Sequence, residues 1–240
     1  MSKLLIIFLS SILTIYSQTN HSLSFDETAD VEIPINDIFD YLDDFSFTIA
    51  LKLNTDDVLS NLTNSDATHF LVNKDHHPDY SNGSWSLRYY KNTEIDQNYL
   101  AWGIDLDGSG NIEHLNLKTE LVSILDDEWH HIAGTRDAST GELKFYIDGE
   151  LVDSGSSGNG FTMYSPNKFV LGRHVFLDAC RIYGLLDDFT FWNSTLTQNQ
   201  VNYNYISNLS GNEDALIGFW NMNEGEGSTL IDLSGNGNNG

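Results

Sequence analysis

Apolar and polar residues alternate along this chain in short runs; they do not recur every three or four positions. Phe45-Ser46-Phe47-Thr48-Ile49-Ala50-Leu51-Lys52-Leu53 alternates over its whole length, and Leu143-Lys144-Phe145-Tyr146-Ile147 does the same. A period of two is that of a β-strand with one buried face. Asp148-Gly149 follows as a two-residue turn, because Gly accepts the positive φ of type I′ geometry. Ala138-Ser139-Thr140-Gly141 joins the same strand to the preceding run, Trp129 to Asp137, as a longer turn. Hairpin connections make neighbouring strands antiparallel. Similar runs lie at 21–26, 31–34, 69–74, 85–90, 99–105, 112–117, 169–172, 185–192 and 216–222. Pro34 ends its strand or places it at an edge. Thr197 with Gln200 is a capping box, which predicts one helix over 198–208. The polar stretch 54–66 reads as a loop. Short strands separated by turn residues predict an all-β antiparallel sandwich. Within its hairpin, Trp129 is expected in the core against Phe145 or Ile147.

Composition narrows the picture. A chain of 240 residues suits one sandwich with short extras. The formal net charge is −24 with only 11 Lys and Arg. Such a surface repels phosphate backbones, which makes nucleic acid and anionic membrane poor partners and predicts no nucleic-acid binding. Met1-Ser2-Lys3, the apolar run 4–15 and Tyr16-Ser17-Gln18 have the layout of a secretory signal peptide. That predicts a leader at 1–18, a secreted or cell-surface protein, and no membrane insertion after cleavage. The sandwich is then expected over 19–222, with 223–240 a Gly/Asn-rich tail or the start of a further unit. Cys180 is the single cysteine, so no intrachain disulfide forms.

Several stretches carry a family resemblance. EWHHIAGTRDASTGELKFYIDGELVDS resembles the centre of a laminin G-like domain of the pentraxin-related kind. LSFDETADVEIP followed by FSFTIALKLN is similar to that family's opening, with Glu27 where a Gly is common. LDDFTFWNSTLT resembles its C-terminal strand. The resemblance implies a concanavalin A-like jelly roll of two antiparallel sheets. It also implies a structural calcium ion held near the first acid of the C-terminal strand and the N-terminal turn. By position these are Asp187, Asp26 and Asp30, and calcium accepts such oxygen ligands.

Candidate chemistry is sparse. Glu94-Ile95-Asp96 is the nearest match to the carboxylate strand of related glycoside hydrolases, and its third carboxylate is missing, so no catalytic pair is expected. Asp105 to Ile112 matches the first eight positions of an EF-hand loop but has Asn116 at the twelfth, and reads as a turn. His76-His77 and His130-His131 are adjacent pairs, whose side chains on a strand would point to opposite faces and not chelate together. For sugar binding, Trp85, Tyr89 and Tyr99 lie on neighbouring strands, whereas alternation places Trp102 in the core. The expectation is a non-catalytic, extracellular module that binds glycan or protein and is stabilised by calcium. The alternatives are an accessory domain or degenerate form of a carbohydrate-active enzyme, and a structural spacer of a large adhesin.

Overall fold

The computed structural model describes residues 21–26, 28–40, 42–62, 68–74, 84–105, 115–158, 164–176 and 180–240. The strands are β1 (Leu23–Asp26), β2 (Val31–Ile33), β3 (Phe45–Leu53), β4 (Thr68–Lys74), β5 (Ser84–Asn92), β6 (Gln97–Asp105) and β7 (Leu115–Glu120). They continue as β8 (His130–Asp137), β9 (Glu142–Ile147), β10 (Glu150–Ser156), β11 (Phe169–Leu171), β12 (Tyr183–Trp192) and β13 (Leu216–Trp220). Helix α1 is Thr55–Asn61 and helix α2 is Gln198–Ile206.

The first sheet runs β1-β12-β3-β8-β9-β10, with β13 also paired to β12. The second runs β2-β11-β4-β5-β6-β7, and every strand pair in both is antiparallel. Phe45, Phe47, Trp85, Trp102, Phe169 and Phe191 are buried between the sheets. Trp85 stacks on Phe47 at 5.1 Å and on Phe191 at 5.6 Å. Where β8 crosses this layer it has Gly134, because a Cβ there would lie 2.3 Å from Phe47 Cε1. The sandwich, the alternation of β3 and the Asp148-Gly149 turn all match the sequence pattern; Asp148 and Gly149 have φ of 50° and 79°.

Three details differ. The stretch 54–62 is not all loop: the Asn54 side chain accepts the Asp57 N–H and caps α1. The fold therefore has a second helix. Residues 223–240 fold back on the sandwich. The Trp220 indole donates to Asn238 O at 2.9 Å, and Leu230 and Gly240 exchange two backbone hydrogen bonds of 2.8 Å. Trp129 is outside the core, 42 % exposed. It shares parity with His131, whereas the buried Ile132 faces inward, so alternation carries the indole to the outer face.

That outer face of the first sheet is covered in part. α2 starts with the expected capping box, Gln200 N–H to Thr197 Oγ1 and Thr197 N–H to Gln200 Oε1. Its Val201 packs with Ala133, Tyr146, Trp192, Leu196, Leu216 and Phe219 in a second, smaller core. The Gln198 amide donates to Gly149 O, which ties the helix to the β9–β10 turn. This fixes the position of α2 over the sheet and leaves a groove beside it.

Candidate functional site

The groove has a volume of about 380 Å³. Its floor is the outer face of β3, β8 and β12, through Thr48, Ala50, His131 and Thr190. One wall is the end of α2 and the turn after it, with Asn204, Tyr205 and Ile206; the other has Asp188, Asn221 and Asn223. Trp129 and His130 stand at its end. The floor hydroxyls are already used: Thr48 and Thr190 bond each other at 2.6 Å, and the Trp192 indole donates to Thr190 at 2.8 Å.

His131 is 8 % exposed, and its ring lies 5.6 Å from that of Tyr205. Neither ring nitrogen has a partner, and the Asn204 amide nitrogen is likewise buried without one. Burial pushes the His131 pKa down to about 4, against a smaller upward pull from Asp148. The imidazole is therefore neutral at physiological pH, with one N–H donor and one acceptor nitrogen. Leaving such groups unsatisfied costs about 1–3 kcal/mol each, so three in one groove mark a place shaped for something polar. His130 behaves differently. Burial opposes its charge, but Asp148 at 2.8 Å and Asp126 at 3.1 Å outweigh that and raise its pKa. The Asp188 carboxyl on the opposite wall is raised by desolvation.

The residues singled out from sequence fall elsewhere. Trp85 and Tyr89 are 1 % and 0 % exposed; they face the core, because β5 alternates Trp85, Leu87 and Tyr89 inward. Neither side chain is open to a ligand at the surface. Tyr99 does face outward, on the second sheet, 5.7 Å from Tyr90 and beneath the Lys118 ammonium at 4.5 Å. The expected calcium ligands do not converge. Asp26 pairs with Tyr183 in the β1–β12 ladder, and Asp187 lies four residues further along β12. At about 3.3 Å per residue this separates them by about 13 Å. Asp30 is engaged by Arg173 at 3.1 Å and Arg181 at 3.2 Å. The donor set Asp26, Asp30 and Asp187 does not fit one cation. Among the described residues no group of three His, Cys, Asp or Glu is placed to hold a metal. Asp96 occupies the exposed β5–β6 turn, ion-paired to Lys91 at 2.7 Å. The leader at 1–18, the His76-His77 pair and most of the EF-hand-like loop lie outside the described residues.

A laminin G profile, described as Concanavalin A-like lectin/glucanases superfamily, matches residues 25–202. The chain belongs to this superfamily. The curated relatives of this superfamily domain include Sushi, von Willebrand factor type A, EGF and pentraxin domain-containing protein 1 of Rattus norvegicus. It is 31 % identical over 117 residues, which cover 46 % of this chain and 3 % of the relative. The Mus musculus counterpart is 30 % identical over 117 residues. The chain thus spans a small fraction of the relatives it matches. Among solved structures, a "putative carbohydrate binding protein" from Bacteroides ovatus aligns with a TM-score of 0.65 and 15 % identity, covering 91 % of this chain and 56 % of that one. The receptor binding domain of botulinum neurotoxin D aligns at 0.55 and 18 %, covering 76 % and 42 %. These likenesses establish the jelly-roll fold of the superfamily domain. They leave the groove to be read from its own residues. With Trp129 expected in the core, this site is missed from sequence; the parity that Trp129 and His131 share with Ala133 is the signal that could have found them, whereas Asn204 and Asp188 carry no such signal.

Proposed function

We propose that this chain is a secreted or cell-surface, non-catalytic recognition module that binds glycan in the groove between the first sheet and α2. One observation carries the reading: an exposed indole stands beside three buried polar nitrogens without partners, in a concave site of sugar size. Sugars present apolar C–H faces edged by hydroxyls. An aromatic plate with nearby donors and acceptors is complementary to both. The signal-peptide pattern at 1–18 supports export, and the superfamily fold supports recognition. The exposed Asp96 turn supports a binding role without turnover.

The test is a glycan array probed with the purified chain. Binding by the native protein, lost in a folded Trp129→Ala variant, is the expected result. Array binding that survives this substitution would place recognition elsewhere. Measurable hydrolysis of a bound polysaccharide, lost on Glu94→Gln, would overturn the non-catalytic part.

A further inference from the structure

We propose that the groove takes a neutral, hydroxyl-rich sugar and refuses sugars that carry carboxylate, sulfate or phosphate. This rests on the glycan-binding reading above and adds the ligand's charge class. Among the described residues, those lining the groove include no Lys and no Arg. Its carboxylate is Asp188 on one wall, and the His130 imidazole stands at the end. His130 is flanked by the carboxylates of Asp126 and Asp148, which answer the charge it carries when protonated. An anionic sugar entering here meets the Asp188 carboxylate with no cation to compensate, within a protein of net charge −24. Acidic glycans are usually held by Arg or Lys, whose N–H groups point at the anion.

The unsatisfied groups fit hydroxyls. The neutral His131 ring offers one donor and one acceptor, and Asn204 a donor. A hydroxyl both donates and accepts, so one functional group can answer all three nitrogens. A carboxylate or sulfate only accepts and leaves the imidazole acceptor orphaned. The Asp188 carboxylate on the opposite wall accepts from a further hydroxyl. Trp129 supplies the apolar plate.

The experiment compares neutral glucose- and galactose-terminated oligosaccharides with sialylated, uronic-acid-containing and sulfated ones, by array and then titration calorimetry at fixed salt. Neutral sugars should bind at least tenfold more tightly than any acidic one. His131→Phe keeps a ring beside Tyr205 and removes both nitrogens, so neutral-sugar binding should fall at least tenfold while the melting temperature is held. Asp188→Lys should raise binding of acidic sugars at least tenfold. Acidic sugars bound as tightly as neutral ones by the native chain, or neutral binding unchanged in His131→Phe, would overturn the charge assignment and leave the recognition reading standing. No binding of either class would overturn both.

Discussion

Trp129 and Trp85 are the same residue type in opposite situations, and their substitutions should separate cleanly. Trp85 is 1 % exposed and stacked between Phe47 and Phe191. Truncating a buried aromatic of this size leaves a cavity, so Trp85→Ala should destabilise the fold by about 3–5 kcal/mol. Trp129 is 42 % exposed, and Trp129→Ala should cost less than about 1 kcal/mol. Urea unfolding of the two variants checks both values; a large loss for Trp129→Ala would return that indole to the core. The sequence contained the information to separate them. Counting by twos from Ile132 puts Trp129 outward, and counting by twos from Leu87 puts Trp85 and Tyr89 inward. An aromatic at a strand's start reads as an anchor unless the parity of the buried residues after it is followed. What parity does not reveal is burial on the outer face. Thr48 and His131 face outward yet are 2 % and 8 % exposed, because chain distant in sequence covers them.

At the scale of elements, the same distinction separates α2 from α1 and from the C-terminal segment. α2 was legible because its capping box is local: Thr197 and Gln200 are three residues apart and bond reciprocally. Helix α1 carries a single buried apolar residue, Val58, and its Asn54 cap has Asp57 at the third position in place of Glu or Gln. The segment 223–240 reads as a tail because it lacks a hydrophobic period. It is ordered by one buried carboxylate instead. Asp232 accepts from the Phe219 and Ser234 backbone N–H groups, the Ser234 hydroxyl, and the backbone and side-chain N–H of Asn238, at 2.6–3.1 Å. This makes Asp232 the hub that fixes the cap to β13. Asp232→Ala strands several buried donors and should destabilise by about 2–4 kcal/mol. The loss should appear as faster hydrogen exchange across 217–240, with the far edge at β9 and β10 protected as before. Uniform protection across the cap in the variant would show that Asp232 does not organise it.

For the molecule as a whole, the informative place is the seam where β12 passes from β1 to β13. Both lie on the same edge of β12, β1 against residues 183–186 and β13 against 189–192. The register of β12 against β3 shifts between Asp187 and Thr190, and Asp188 adopts a φ of 47°. Asp187 is buried at this bulge, and its Oδ1 accepts the Asp188 N–H at 2.9 Å. Burial, with the charges of Asp188 and Glu224, raises its pKa to about 7. An unfolded Asp titrates near 3.9, so between about pH 4 and pH 7 the folded protein holds more protons than the unfolded chain. Its contribution is therefore present in full below about pH 4 and lost as the pH rises through 7. In a chain of net charge −24 no excess of cations relieves the buried charge. Asp187→Asn removes the charge and keeps an oxygen for the Asp188 N–H. It should stabilise the fold by about 1–3 kcal/mol at pH 8 and change it little at pH 4. The gain should be the same in EDTA and in millimolar calcium, because Asp26 lies four ladder positions away and Asp30 is held by two arginines. A calcium ion bound at Asp187 makes the opposite prediction. The native melting temperature would rise with calcium, and Asp187→Asn would be the less stable protein wherever calcium is present. Melting curves of the two proteins at pH 4 and pH 8, with and without calcium, decide between a buried acid that strains the seam and a ligand that closes it.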